Sequence, residues 1–509
     1  MARFVFYDLE ATGADVHYDR PLQFAAICTN EQLEPIEEPV VWYARHPDDV
    51  LSHPAAVMTT GLLPDTPALT EGMSEAELAE AISGLLNQPD TCAVGFNNLR
   101  FDAPMLRFLF WRTLKPPYEH EFSGGNSKFD ILDVARAYRL LRPDGINWPR
   151  LETGYPSLKL TELAAANGLT HEQAHDALSD VQATLELARL FRDQNPRLFN
   201  YLLAARNKNH VREQVDKKPG HAFVHTTARI AADRGGGSVF VNLGQSGKNP
   251  NARLLWDARF DPAPWMALSP EALAERRFVK TPDDRVNDPN TMRLPVKELH
   301  INQVPAVFPL SILKEAAVCE RMVIDREQVL AHIALIKAHL PEFAEKLHAA
   351  MALSEGQYPP AKRSEQALYA GFLDHREADT LAQWWRDWRG ANHPAKAQQA
   401  ITWLLGQDWQ DARLPTLVAH FVARNYPQYL DERHQQQWQH YCREQLNPNG
   451  EISHPLDDES GLPRDIPHMR ALAQHWLDTR PAQWTEQQLS LLKPYLEWLE
   501  RRKAILSIR

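Results

Sequence analysis

The chain has 509 residues, of which 44% are hydrophobic and 24% charged, enough globular material for two to four domains with their own cores. A formal net charge of -11 argues against a protein that coats nucleic acid nonspecifically, because phosphate binding depends largely on Lys and Arg displacing counterions. The scattered Cys28, Cys92, Cys319 and Cys442 contain no Cys-x-x-Cys pair, which points to buried reduced thiols and away from a zinc site or a disulfide framework.

The opening Met-Ala-Arg-Phe-Val-Phe-Tyr-Asp-Leu-Glu meets its acids too early for a signal peptide. No later run reaches the ~20 apolar residues that span a bilayer. A cytoplasmic protein without membrane contact is expected. Apolar runs from Phe4 to Glu10, Leu22 to Thr29 and Val40 to Ala44 predict three strands. Ser74 followed by Glu77 at the third position predicts a capping box ahead of an amphipathic helix. Cys92 to Phe96 reads as a further buried strand. Asp102 with Pro104 reads as an N-cap and first-turn proline for a helix through Leu114. Phe129 to Leu132 is a fifth strand, Ser157 opens a helix ending near Asn167-Gly168, and Asp176 opens a last one running to about Asp193. Interleaved strands and helices of this kind make an α/β domain over residues 1–195.

Residues 196–218 read as helical and basic. Alternating stretches from Ala222 to Ile230, Ser238 to Leu243 and Val296 to Val307, punctuated by Gly-Gly-Gly at 235–237, predict a small antiparallel domain over 196–351. Residues 352–509 read as helical and hold nine of the fourteen tryptophans. At helical spacing Trp384, Trp385, Trp388 and Trp403 are expected in a core more than on a base-stacking surface. The Pro-, Gly- and Asp-rich stretch from Asn447 to Pro467 reads as an exposed loop. The three segments carry 15 basic against 29 acidic residues, 22 against 17 and 18 against 20. An acidic segment beside a mildly basic one suits a metal-binding domain next to one that guides a polyanion.

Asp8 and Glu10, at i and i+2 on one strand face, can share one hard cation. A lone Asp-x-Glu is common at solvated strand ends, but this one closes an apolar strand and precedes the small turn Ala11-Thr12-Gly13. Asp102 ends a polar loop at a helix start, and Asp180 lies in the first turn of the helix that follows His175. Together, Asp8-Leu9-Glu10-Ala11-Thr12-Gly13, Phe101-Asp102 and His175-Asp176-Ala177-Leu178-Ser179-Asp180 resemble the DEDDh exonuclease superfamily in order and spacing. Asn98-Leu99-Arg100-Phe101-Asp102, Leu141-Arg142-Pro143-Asp144-Gly145-Ile146-Asn147-Trp148-Pro149, Pro196-Arg197-Leu198-Phe199-Asn200-Tyr201-Leu202 and Arg206-Asn207-Lys208 look like the bacterial exonuclease I family. The likeness runs to about residue 445 and fades beyond.

The resemblance implies a ribonuclease H-like exonuclease domain, an SH3-like β-barrel domain and an α-helical C-terminal domain, arranged as a groove for single-stranded DNA. It implies hydrolysis from the 3′ end with release of 5′-mononucleotides, in DNA repair and recombination. Asp8, Glu10 and Asp180 would hold one Mg2+, Asp8 would bridge to a second that Asp102 supports, and Mn2+ should substitute in this all-oxygen shell. His175 would be the general base, since an unperturbed imidazole titrates near working pH. Glu10 and the backbone of Ala11 and Thr12 would take the 3′-terminal nucleotide. Lys159 stands where the family commonly has a phosphate-binding arginine, keeping the charge and losing the bidentate fork. Trp148 and Phe101 are candidates for base stacking, with a packed turn an equal alternative for Trp148. Arg142 and Tyr201 match positions associated with the acidic, aromatic-ended tail of single-stranded-DNA-binding protein. A monomer is expected. Competing readings are an RNA-trimming DEDDh nuclease, disfavoured by the large C-terminal portion, and a catalytically silent single-strand-binding protein, which would need one of the five site residues missing. A paired-carboxylate glycosidase would leave His175 unexplained.

Overall fold

The structure is a computed structural model that describes residues 3–152, 154–169, 176–279, 291–354, 361, 363–391, 393–446 and 462–507. Chain contacts divide it into two compact units. Met1–Asn126, Glu172–Gln182 and Pro360–Arg509 form the first, and Ser127–His171 with Ala183–Pro359 the second.

In the first unit, β1 (Arg3–Ala11), β2 (Pro21–Thr29), β3 (Val40–Tyr43) and β4 (Thr91–Gly95) lie in the order β3-β2-β1-β4. β1 pairs antiparallel with β2 and parallel with β4. Near-continuous apolar runs suit β1, β2 and β4 because both of their faces are covered. Every residue of β1 is buried except half-buried Asp8. The helix Glu75–Leu86 starts as its sequence predicts: Ser74 Oγ accepts from the Glu77 N–H at 3.2 Å, and Glu77 Oε2 accepts from the Ser74 N–H at 2.7 Å. Its Leu78, Ile82 and Leu86 pack with Val5, Tyr7, Leu9 and Phe24 and with Met105 and Leu106 of the helix Asp102–Arg112.

The same unit contains the C-terminal helices. Phe108 and Trp111 share a core with Trp384, Trp385 and Phe421, while Leu51, Val57 and Met58 share another with Met469, Leu472, Trp476 and Tyr495. Trp384 and Trp385 are therefore core residues, and Trp385 Nε1 donates to the Thr113 carbonyl at 3.1 Å. Trp403 departs from that expectation, being 45% exposed. The expected loop ends earlier than its composition suggests. Residues 447–461 lie outside the described residues, but Pro467 sits in the first turn of the helix Ile466–Thr479, where its missing N–H costs nothing, and Asp465 caps that helix.

The second unit opens with β5 (Ser127–Asp130), whose last residue caps the helix Ile131–Leu141. The strand thus ends two residues before Leu132. An antiparallel sheet follows, built from β6 (Ala222–Thr226), β7 (Gly237–Gln245), β8 (Ala252–Asp257), β9 (Val296–His300) and β10 (Val307–Pro309) in the order β10-β6-β7-β8-β9. The stretch read as one strand to Ile230 stops at Thr226, and the stretch from Val296 to Val307 breaks into β9 and β10 around Val304, whose φ is +49°. β8 was missed because Ala-Arg-Leu-Leu-Trp-Asp lacks a period of two, and all six residues are buried. Gly235 and Gly236, with φ of +70° and +65°, make the turn into β7. All four cysteines are buried and none is in a disulfide. Among the described residues no helix is long and apolar enough to cross a membrane.

Candidate active site

The first unit gathers three of the predicted carboxylates directly. Oxygens of Asp8, Glu10 and Asp180 all lie within 4.8 Å of one another. Asp8 and Glu10 come from the end of β1, two residues apart and so on one face, just before a register irregularity between Glu10 and Ala11. Asp180 comes from the first turn of the helix Ala177–Gln194. Asp176 starts that helix as expected, its Oδ2 accepting from the Ser179 N–H at 3.3 Å.

Asp102 is the first residue of its helix and is buried, at 2% exposure. It does not cap that helix, correcting the sequence reading: Phe101 holds the cap position, with no side-chain cap bond. The tight exit from β4 puts it there. Gly95 lies so close to Asn98 and the Tyr7 carbonyl that a side chain would collide, and Asn97 turns the chain with φ of +65°. A carboxylate at a helix N-terminus also meets the positive end of the helix dipole.

The charges crowd. Burial, then repulsion from Asp102, Glu10 and Asp180, pushes the Asp8 carboxyl well above the usual carboxylate range. Burial, then Asp180 and Asp102, does the same to Glu10. Hard oxygen donors that repel one another at this spacing fit a divalent cation, which would relieve the repulsion and return both groups to their ionised form.

Gln23 was not singled out by the sequence reading. It faces Glu10 across the β1–β2 ladder. Its Nε2 donates to Asp176 Oδ1 at 2.9 Å, and its Oε1 accepts from the Ala177 N–H at 3.4 Å. It therefore ties the start of the Asp180 helix to the strand carrying Glu10. The signal was a lone amide inside the apolar run Leu22 to Cys28.

Other predicted residues sort differently. His175 lies outside the described residues. Ala11 and Thr12, which follow Glu10 in the chain, are both buried. Lys159 belongs to the second unit, where it is the N-cap residue of the helix Leu160–Ala166, its ammonium 3.6 Å from Glu162. That helix begins three residues after Ser157, whose Oγ instead accepts from the Lys159 N–H at 3.3 Å. Trp148 takes the packed-turn alternative, its Nε1 donating to the Pro143 carbonyl at 2.9 Å and its ring stacking on Phe191. Phe101 packs partly buried against the sheet core. Arg142 is ion-paired with Glu315 at 2.8 Å, and the Tyr201 hydroxyl donates to the Val307 carbonyl at 2.7 Å.

An α/β nuclease-type domain with a carboxylate cluster at the end of its sheet is what fold and site define, and similarity to known proteins narrows the class. Residues 5–188 match the exonuclease family model, residues 206–352 the exonuclease I SH3-like domain and residues 362–459 the exonuclease I C-terminal domain. Exodeoxyribonuclease I of Escherichia coli strain K12 is 35% identical over 446 residues, 87% of this chain and 90% of that protein. Its Haemophilus influenzae counterpart is 33% identical over 444 residues, again 87% and 90%. The crystal structure of E. coli exonuclease I in complex with a dA16 oligonucleotide superposes with a TM-score of 0.85 at 32% identity, covering 99% of this chain and 100% of that one. The crystal structure of the SSB/exonuclease I complex with inhibitor CFAM gives 0.82 at 31% identity, with 99% and 100% covered. The chain belongs to the exonuclease I family and is an exodeoxyribonuclease, with an exonuclease domain, an SH3-like domain and a helical C-terminal domain. The match to the family's C-terminal domain model runs to residue 459, past the point near 445 where the sequence resemblance was expected to fade, and the likeness in fold covers 99% of the chain.

Proposed function

We propose that this exodeoxyribonuclease removes 5′-mononucleotides from the 3′ end of single-stranded DNA, with Asp8, Glu10, Asp102 and Asp180 as metal ligands and His175 as general base. The observation that carries the reading is the meeting of Asp8, Glu10 and Asp180 within 4.8 Å in a chain whose solved relatives include an oligonucleotide complex and a zinc-bound complex with single-stranded DNA. Two bound Mg2+ ions, or Mn2+, would relieve charge on the phosphoryl oxygens and make a water nucleophilic at neutral pH. His175 takes the proton from the attacking water. Glu10 and the backbone of Ala11 and Thr12 receive the terminal nucleotide, and Lys159 binds substrate phosphate as a point charge. Domains at 1–195, 196–351 and 352–509, a monomer, a cytoplasmic location and a role in DNA repair and recombination complete the reading.

Bases need aromatic faces, and the unit holding the carboxylates exposes several. Phe372 is 90% exposed, Phe122 70% and Tyr369 54%. Tyr369 is braced edge-on by Phe108 at 5.4 Å, and Phe372 by Tyr118 at 6.0 Å. Such faces stack on any base, giving sequence-independent grip. Arg142 and Tyr201 are the proposed contact for the tail of single-stranded-DNA-binding protein, a reading supported by the SSB-containing complex of the relative.

Initial rates on matched single-stranded DNA and RNA oligomers with magnesium test the substrate class. A DNA rate at least tenfold above the RNA rate is expected, whereas the reverse order would favour the RNA-trimming alternative.

A further inference from the structure

Two residues from distant parts of the chain close on the turn that follows the metal-binding strand. Asp19 is fully buried, at 0% exposure. Its Oδ1 accepts from the Thr12 hydroxyl at 2.8 Å, and its Oδ2 accepts from the Asp15 N–H at 2.9 Å. Among the described residues the one cation paired with it is Arg464, whose Nη2 lies 3.3 Å from Oδ2. Thr12 is also 0% exposed, and every polar group it has is used. Its N–H donates to the Arg20 carbonyl at 2.9 Å, its carbonyl accepts from the His53 N–H at 2.7 Å, and its hydroxyl also accepts from the Arg20 N–H at 3.0 Å. A side chain at Gly13 would collide with the Asp19 carboxylate. The turn therefore has one shape, set by Asp19.

Arg464 is itself held firmly. It immediately precedes Asp465, which caps the helix Ile466–Thr479. That helix buries Met469, Leu472 and Trp476 against Leu51, Val57 and Met58. Tyr495 donates to the Ser52 carbonyl at 2.5 Å on the same surface, one residue before the His53 amide that binds Thr12. Arg464 also lies beyond residue 459, where the match to the family's C-terminal domain model ends.

We propose that Arg464 and Asp19 are positioning residues for the exonuclease reaction, holding through the Thr12 hydroxyl the Ala11–Gly13 turn in the shape that receives the 3′-terminal nucleotide. A buried carboxylate with three acceptor contacts is stable only while its charge is compensated, and Arg464 supplies that compensation from the C-terminal helices. Without it Asp19 takes a proton or moves, and the turn relaxes by the fraction of an ångström that matters to a reacting phosphodiester. The inference rests on the proposed seat of the terminal nucleotide at Glu10 and the turn after it, where Thr12, its own polar groups all bonded within the protein, acts through the shape it gives that turn.

The test is a double-mutant cycle on the full chain with saturating magnesium and a 5′-labelled single-stranded oligomer, comparing wild type, Thr12→Val, Arg464→Met, the double variant and Arg464→Lys. Each single variant is expected to lower kcat about tenfold with KM within about twofold, the double to be no slower than the slower single, and Arg464→Lys to recover most of the loss. Melting temperatures identify any variant that fails to fold, in which case Arg464→Gln replaces Arg464→Met in the cycle. Wild-type kcat in folded Arg464→Met alongside a slow Thr12→Val overturns the relay and leaves the seat intact. Additive losses overturn the relay as well. Wild-type kcat in Thr12→Val also overturns the relay, and it leaves the seat intact because the substitution removes only the hydroxyl and not the backbone.

Discussion

Arg424 grips Asp49 with two hydrogen bonds, Nε to Oδ1 at 2.9 Å and Nη2 to Oδ2 at 2.6 Å, and both side chains are almost wholly buried, at 3% and 2% exposure. Nη2 also donates to Glu365 Oε1 at 2.8 Å. Arg20 lies 3.8 Å from Asp49 and 3.6 Å from Glu75, which Arg112 binds at 2.8 Å. Three guanidiniums thus face three carboxylates where the C-terminal helices meet the loops of the nuclease sheet.

Removing one member should cost far more than the network contributes as a whole, because it strands the remaining charges in a dry site. Arg424→Met is expected to destabilise the chain by about 3–5 kcal/mol, read as a lowered thermal or urea midpoint. Adding Asp49→Asn and Glu365→Gln to it should recover part of that loss, and a triple variant less stable than the single would contradict this account.

Acid should act in two stages. Burial and then the Arg464 guanidinium hold His53 down at about 3. The unfolded chain accordingly binds a proton near pH 6.5 that the folded chain refuses, and stability falls as pH drops from about 6.5 toward 3, by up to about 1.4 kcal/mol per pH unit. Asp49 is held down at about 2, burial being outweighed by Arg424 and Arg20, so its contribution persists above about pH 4 and is lost between there and pH 2. Thermal midpoints of His53→Gln should show a shallower slope than wild type between pH 6.5 and 4.5. Parallel slopes would show that His53 is not held neutral.

Crowding at the carboxylate site predicts that a bound metal and the removal of one charge each stabilise the fold, by relieving the same repulsion. With Asp8 and Glu10 raised, the metal-free fold loses stability as pH rises past about 4, where the unfolded carboxyls ionise freely. A divalent cation at 100 times its dissociation constant should restore about 2.7 kcal/mol. In EDTA, Asp180→Asn should melt above wild type, and adding magnesium should raise its midpoint by less. A variant that melts below wild type in EDTA and gains as much from magnesium would contradict the assignment.

Much of this architecture was legible in residue order. The capping box at Ser74, the strand ending in Asp8 and Glu10, and the helix opened by Asp176 rest on local chemistry that tertiary context did not override. What was missed is non-local. The all-buried β8 has no period to read, Asp102 turned from cap to first helical residue because of how tightly Gly95 and Asn97 turn the chain, and Gln23 matters only through its register with Glu10. Asp19 and Arg464 lie 445 positions apart, a pairing that no local pattern announces.

The Arg142–Glu315 pair has a consequence for partner binding. Both side chains are about half exposed, at 45% and 47%, so the pair itself adds little to stability, but Glu315 competes for the guanidinium that an acidic tail would use. Glu315→Gln should tighten binding of an acidic, aromatic-ended peptide several-fold, most clearly at low salt. Fluorescence anisotropy with the labelled peptide measures it, and unchanged affinity in both Glu315→Gln and the Arg142→Ala, Tyr201→Ala double variant would place the tail elsewhere.

The most direct measurement is digestion of a 5′-labelled single-stranded DNA oligomer with magnesium or EDTA by wild type and Asp180→Ala. The expected result is a ladder that shortens from the 3′ end with wild type and magnesium alone. Undiminished digestion by Asp180→Ala, or an intact oligomer bound by wild type under magnesium and manganese, would contradict a catalytic centre built on Asp8, Glu10 and Asp180.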